Sequence, residues 1–156
     1  MTHLIAIESP NQPDVLPLLR AGEAHVAALY PAESNHMLDV SALAAAPITF
    51  LVARHDGAIV GCAALVRSGE GGAEVKRMFV PPHARGHGVA RLLLAALEKL
   101  VVEGGLGLRL ETGIRQLETI ALYTSAGFVQ IGPFGRYRPD PLSVFMEKLP
   151  QLTAAP

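Results

Sequence analysis

The sequence contains no tryptophan and a single cysteine, and aromatic residues fill only 5% of its 156 positions. One cysteine excludes an intramolecular disulfide and any metal site built on cysteine pairs. An excess of either charge is also missing. A formal net charge of −1 gives no bulk attraction toward nucleic acid or an anionic membrane. No run of Lys and Arg supplies a local one, since Arg136-Tyr137-Arg138 is too short for a patch. No apolar stretch approaches the ~20 residues that cross a bilayer. The N-terminus lacks the basic-then-apolar order of a signal peptide, so the cytoplasm is the expected compartment. His3, His25, His55 and His83 have no metal-ligand spacing, and no metal is expected.

What is present is a globular composition, 50% hydrophobic and 17% charged. The length fits one domain with a sizeable core. That domain is expected over residues 1–149, with 150–156 as a frayed tail. Cys62 lies in the apolar run from Ile59 to Val66 and reads as a small buried side chain.

Along the chain, His3 to Glu8 reads as a strand. From Asp14, the residues Val15, Leu18, Leu19, Gly22, Val26 and Leu29 recur at helical spacing up to Pro31. A polar loop, Glu33 to His36, precedes a short helix capped by Asp39 or Ser41. Ile48 to Arg54 and Ala58 to Val66 read as strands around the turn His55-Asp56-Gly57, with a second turn at Ser68 to Gly72. Ala73 to Val80 is the next strand, stopped by Pro81-Pro82. Val89, Leu92, Leu93, Ala96, Leu97, Leu100 and Val101 mark the clearest helix, ended by Gly104-Gly105. A strand from Leu106 to Glu111, a helix from Gln116 to Ser125, and strands at Phe128 to Ile131 and Leu142 to Lys148 complete the order. This predicts a mixed α+β domain on one central sheet.

The stretch from Val80 to Arg91 carries chemistry. A strand stops, a loop with Gly86 and Gly88 turns, and an amphipathic helix starts at once. The first turn of a helix has amides with no internal partner, and the macrodipole adds partial positive charge there. Glycines let a phosphate approach those amides, and Arg85, His87 and Arg91 can add donors. The pattern reads as a pyrophosphate cradle. The dinucleotide fingerprint G-x-G-x-x-G fails because Arg91 occupies the third glycine position, and the loop G-x-x-x-x-G-K-[ST] is absent.

Arg85-Gly86-His87-Gly88-Val89-Ala90 resembles the R/Q-x-x-G-x-G/A signature of the GNAT superfamily of N-acetyltransferases. Glu74 to Val80 is similar to that family's fourth strand, and Leu122-Tyr123 through Gly127-Phe128 to its LY-x-x-x-GF helix end. The resemblance runs from about Leu4 to Leu149. It implies a mostly antiparallel sheet of six to seven strands, flanked by about four helices and splayed between the fourth and fifth strands. It also implies acetyl-CoA as co-substrate, with diphosphate on the amides of Gly86, His87, Gly88, Val89, Ala90 and Arg91. The pantetheine arm would lie along Met78, Phe79 and Val80, and Tyr123 would face the sulfur. Where the family often has Asn touching pantetheine, this chain has Gln116.

On that resemblance the expected reaction is acetyl transfer to a primary amine of a small molecule in a ternary complex. An alkyl ammonium titrates near ~10.4, so a base must take its proton. Glu74 is the leading candidate, with Glu111 and Glu33 as rivals. Tyr123 serves the leaving thiolate as a hydrogen-bond donor, because full transfer from phenol near ~10 to thiolate near ~8.5 is uphill by roughly 2 kcal/mol. The amide of Phe79 or Val80 is expected to polarise the thioester carbonyl. The acceptor is expected between the loop of Glu33, Ser34, Asn35 and His36 and the loop from Pro133 to Tyr137, with Glu111 near. Protein or peptide acetylation and a non-catalytic acetyl-CoA sensor are the alternatives, and a homodimer is compatible with each.

Overall fold

The computed structural model describes residues 3–45, 47–67, 72–102 and 104–150. The turn expected at Ser68 to Gly72, apart from Gly72, and the tail beyond Pro150 lie outside them. The elements are β1 (His3–Ile7), α1 (Val15–Leu29), α2 (Val40–Leu43), β2 (Ile48–His55), β3 (Ala58–Arg67), β4 (Gly72–Phe79), α3 (Val89–Val102), β5 (Gly107–Gly113), α4 (Leu117–Ser125), β6 (Val129–Ile131) and β7 (Ser143–Lys148). They follow the order expected from the sequence, and Asp39 caps α2 by accepting the Ala42 amide at 2.9 Å. Two boundaries moved for identifiable reasons. β5 continues to Gly113 because that residue still pairs with Ser143 on β7. α4 starts one residue late because the Gln116 side chain folds back onto Gly113.

One seven-stranded sheet has the order β1-β2-β3-β4-β5-β7-β6. All its pairings are antiparallel except β4 with β5. Period-two alternation divides the core between the two faces. Phe50, Val52, Cys62 and Ala64 pack with Val15, Leu18, Leu19 and Leu43 under α1 and α2. Leu51, Ala53, Ala63 and Leu65 face the other way, against Val89, Leu93, Leu94, Leu97 and Val101 of α3. Each such leucine stabilises the fold by about 1.5–3 kcal/mol. Leu92 was placed on the apolar stripe but is 42% exposed. No helix among the described residues is long and apolar enough to cross a membrane.

The parallel contact is short. β4 and β5 pair from Gly72 with Gly107 to Val75 with Leu110. Beyond that point β4 runs on to Phe79 and β5 to Gly113, so the two strands part. The resulting gap is the splay expected from the family resemblance.

Candidate active site

The buried Pro81 ends β4, a single turn spans Pro82–Ala84, and the chain reaches α3 through Arg85, Gly86, His87 and Gly88. Gly86 and Gly88 stand at φ of +83° and +78°, and a Cβ on either would meet nothing within 4 Å. Backbone shape, not crowding, therefore calls for glycine here. The bond from Leu92 N to Gly88 O, at 3.1 Å, is of the ordinary helical kind. The amides of Val89, Ala90 and Arg91 precede it and have no acceptor inside the helix. This exposed edge is chemically suited to a diphosphate. The cationic side chains around it are tied down. Arg85 donates to Val80 O at 2.9 Å and lies over the Phe79 ring, while Arg91 reaches Ser125 Oγ on α4 at 2.9 Å.

From the cradle a groove of about 530 Å³ runs between Met78, Phe79 and Val80 on one side and the start of α4 on the other. That volume suits an organic ligand. It shares Met78, Gln116 and Thr119 with a smaller cleft of about 100 Å³ in the gap between β4 and β5. Lys76, Glu111, Thr112, His36 and Tyr123 also face that cleft. Gln116 stands at the junction, its Oε1 accepting from Gly113 N at 3.1 Å and Thr112 Oγ1 at 3.2 Å. Tyr123 is buried, with its ring edge-on to Phe128 at 5.2 Å. Burial pushes its phenol pKa up, so the hydroxyl keeps its proton.

A polar network backs the cleft. Lys76 Nζ donates to His36 O at 2.9 Å and to the Tyr137 hydroxyl, and lies 3.3 Å from Glu74 Oε2. The Tyr137 hydroxyl in turn donates to Glu74. Burial first, and then the charge and hydrogen bond of Glu74, raise the Tyr137 pKa. Glu74 is thus engaged by two partners and does not line the cleft. Glu111 does line it, and its Oε2 accepts from Ser143 Oγ at 2.7 Å. Tyr137 closes an aromatic cluster with Phe134 and Phe145, at 5.1 and 5.3 Å between ring centroids. The loop carrying it is anchored where Asp140 accepts from Ser34 Oγ at 2.7 Å.

Of the expected acceptor-facing residues, His36 and Glu111 line the cleft, and Tyr137 meets His36 edge-on at 5.4 Å without lining it. Glu33 and Asn35 are exposed, and Asn35 Oδ1 is occupied by the Met37 amide at 3.1 Å. Neither lines the cleft.

Three features went unread in the sequence. The first is a bulge in β4. Cys62 pairs with Phe79 and Ala64 with Lys76, so Arg77 and Met78 together oppose Ala63. Arg77 stands at φ +57°. Phe79, one of the two residues expected to offer an amide to the carbonyl, pairs with Cys62 across the sheet. The irregularity lies earlier, at Arg77 and Met78. The second is the buried guanidinium of Arg77 itself, since basic residues on a strand read as solvent-facing. The third is Tyr30, whose hydroxyl accepts the Arg115 amide at 3.0 Å and sits where a Gly113 Cβ would come within 1.9 Å. This locks the end of α1 to the turn before α4 and fixes one side of the groove.

The profile of the acetyltransferase (GNAT) domain matches residues 46–130. An IAA acetyltransferase of Azospirillum brasilense is 53% identical over 146 residues, covering 92% of this chain and 95% of that protein. A Klebsiella pneumoniae crystal structure described as an acyl-CoA N-acyltransferase is 38% identical, with a TM-score of 0.79 over 94% of this chain and 97% of that one. The PaiA N-acetyltransferase of Thermoplasma acidophilum, solved in complex with coenzyme A, shares the fold at 19% identity and a TM-score of 0.73, covering 96% and 99% of the two chains.

Proposed function

The chain belongs to the GNAT family of acetyltransferases, and on that premise we propose that it transfers the acetyl group of acetyl-CoA to a primary amine of a small molecule in a ternary complex. The observation that carries this reading is the junction of two spaces at Met78 and Gln116. A long groove leads there from the phosphate cradle, and a small polar cleft opens from it between the parted strands.

In this arrangement the amides from Gly86 to Arg91 hold the diphosphate, helped by about half a unit of positive charge at the start of α3. The pantetheine arm lies along Met78 to Val80, which brings the thioester to the bulge. The acceptor nitrogen adds its lone pair to the carbonyl carbon, the C–N bond forms, and the C–S bond breaks. The departing sulfur carries the electron pair and meets the Tyr123 hydroxyl, which stays protonated through burial. The amine proton passes to Glu111, the carboxylate that faces the cleft. Glu74, expected from the sequence as the base, instead steadies Lys76 and Tyr137. In this reading the amide of Met78, at the bulge, polarises the carbonyl. Holding both reactants at the junction supplies the remaining acceleration.

The size of the cleft, about 100 Å³, favours a small acceptor. The loop from Gly132 to Leu142 is held to the rest of the site by Asp140 to Ser34 and by Tyr137 to Glu74. Glu111 gives the cleft a carboxylate that suits a cationic amine, while Lys76 and Arg77, also in its lining, are each paired with a glutamate. A second reading comes from the name of the 53% identical relative. Indole-3-acetic acid has no primary amine, but the partly exposed Phe134 and Tyr137 offer its planar ring a surface.

The test is release of free thiol from acetyl-CoA against amines, amino acids, polyamines, short peptides and indole-3-acetic acid. Turnover with small amines is expected. Turnover with peptides alone overturns the proposal, and binding with no release under any acceptor favours a sensor. Glu111→Gln is expected to lower kcat at least ~100-fold, with a smaller loss in Glu74→Gln.

A further inference from the structure

We infer that Arg77 is a positioning residue that holds the β4 bulge and couples it to the loop facing the acceptor. The inference rests on the acetyl-CoA reading above and deepens it.

Successive side chains on a regular strand point to opposite faces. Lys76 and Arg77 do not. Lys76 Nζ donates to His36 O at 2.9 Å, and Arg77 Nη1 donates to Leu38 O at 3.2 Å and approaches Met37 Sδ at 3.6 Å. Two consecutive cations thus grip the same connection between α1 and α2. The positive φ at Arg77 redirects the strand and makes this possible. That conformation is unfavourable for a residue with a Cβ and persists where its surroundings over-determine it.

The surroundings here are the guanidinium's own partners. Nη2 donates to Leu19 O at 3.1 Å, and both terminal nitrogens lie 3.2 Å from Glu23 Oε1. The Arg77 side chain is only 2% exposed, while Glu23 is 44% exposed. A planar fork with five donors can meet these acceptors together, which a lysine ammonium cannot. The Arg77 carbonyl is fixed as well, facing Cys62 Sγ at 3.4 Å.

The position gives this arrangement its role. Arg77 and Met78 line the cleft, and Met37, held by the same guanidinium, is part of its wall. An acceptor seated against His36 and Met37 presses on the loop that Arg77 grips, and Arg77 sets the direction of the next amide. In this reading the bulge aims a donor at the carbonyl and also ties that donor to the acceptor wall.

The experiment uses the full chain loaded with acetyl-CoA labelled with carbon-13 at the carbonyl. Isotope-edited infrared spectroscopy reads polarisation of the carbonyl, and calorimetry reads affinity. In the wild type the bound carbonyl band lies below that of free acetyl-CoA. Arg77→Met is expected to return the band toward the free position and lower thiol release at least ~30-fold, while Kd changes less than ~threefold. Arg77→Lys is expected not to restore the band. A wild-type band in folded Arg77→Met overturns the inference, as does a wild-type band that never shifts. If Arg77→Met does not fold, Glu23→Gln decides, because that partner is partly exposed. A smaller shift in the same direction supports the coupling, and an unchanged band overturns it. Failure of the wild type to bind acetyl-CoA refutes the transferase reading itself.

Discussion

Gly57 and Gly88 occupy nearly the same backbone conformation, φ +84° and +78°, and in neither place would a Cβ touch anything within 4 Å. Alanine at either position therefore meets the same penalty, about 1–2 kcal/mol for a left-handed residue with a Cβ. In Gly57→Ala, in the turn between β2 and β3, the whole penalty falls on stability. A domain of this size loses about 2–4 °C per kcal/mol, so its Tm should drop by roughly 2–8 °C. In Gly88→Ala the free loop can relax out of the strained shape, and the stability loss is at most the same. Binding must then restore the shape that presents the amides of the cradle. Returning about 1–2 kcal/mol weakens acetyl-CoA roughly 5- to 30-fold, since each 1.4 kcal/mol is about tenfold. Calorimetric titration and thermal melts of both variants read this directly. Wild-type Kd in Gly88→Ala refutes the cradle. Equal weakening in Gly57→Ala means the effect is global and refutes the argument from position.

Tyr123→Phe should lower turnover at least ~tenfold with Kd for acetyl-CoA within ~twofold, measured by thiol release and calorimetry. Because burial raises the Tyr123 pKa above its ordinary ~10, that hydroxyl should cause no fall in wild-type activity up to pH ~9.5. Cys62 is 1% exposed, and burial pushes its thiol pKa up to about 12. The native protein should therefore resist a thiol-reactive dye for the length of an activity assay and yield its single thiol only in denaturant. Rapid labelling of the folded chain contradicts the burial.

The course of the chain was legible wherever one period dominated. α3 shows its steps of three and four, and β2 and β3 alternate between two buried faces. Asp39 announced its helix because a carboxylate there can accept the first free amide. The glycines of the cradle were readable because Gly86 and Gly88 sit between a stopped strand and an apolar helix. Partnerships across the sheet were not readable. Glu74 looks like an open carboxylate until Lys76 and Tyr137, the latter 63 residues away, are seen to hold it. Arg77 carries no local sign of burial, because its acceptors are the main-chain carbonyls of Leu19 and Leu38, which any sequence would provide, and the distant Glu23. The contact of Tyr30 with Gly113 depends on how α1 ends against β5, which no local pattern encodes.

The four-pair parallel contact between β4 and β5 parts the chain into an earlier and a later half. The phosphate cradle and the bulge belong to the chain before it crosses to β5. Glu111, Tyr137, Asp140 and Ser143 all come after that crossing. The grip on the phosphates therefore sits in one half of the gene, while the acceptor cleft draws on both, with His36 and Lys76 from the earlier half and Glu111 from the later.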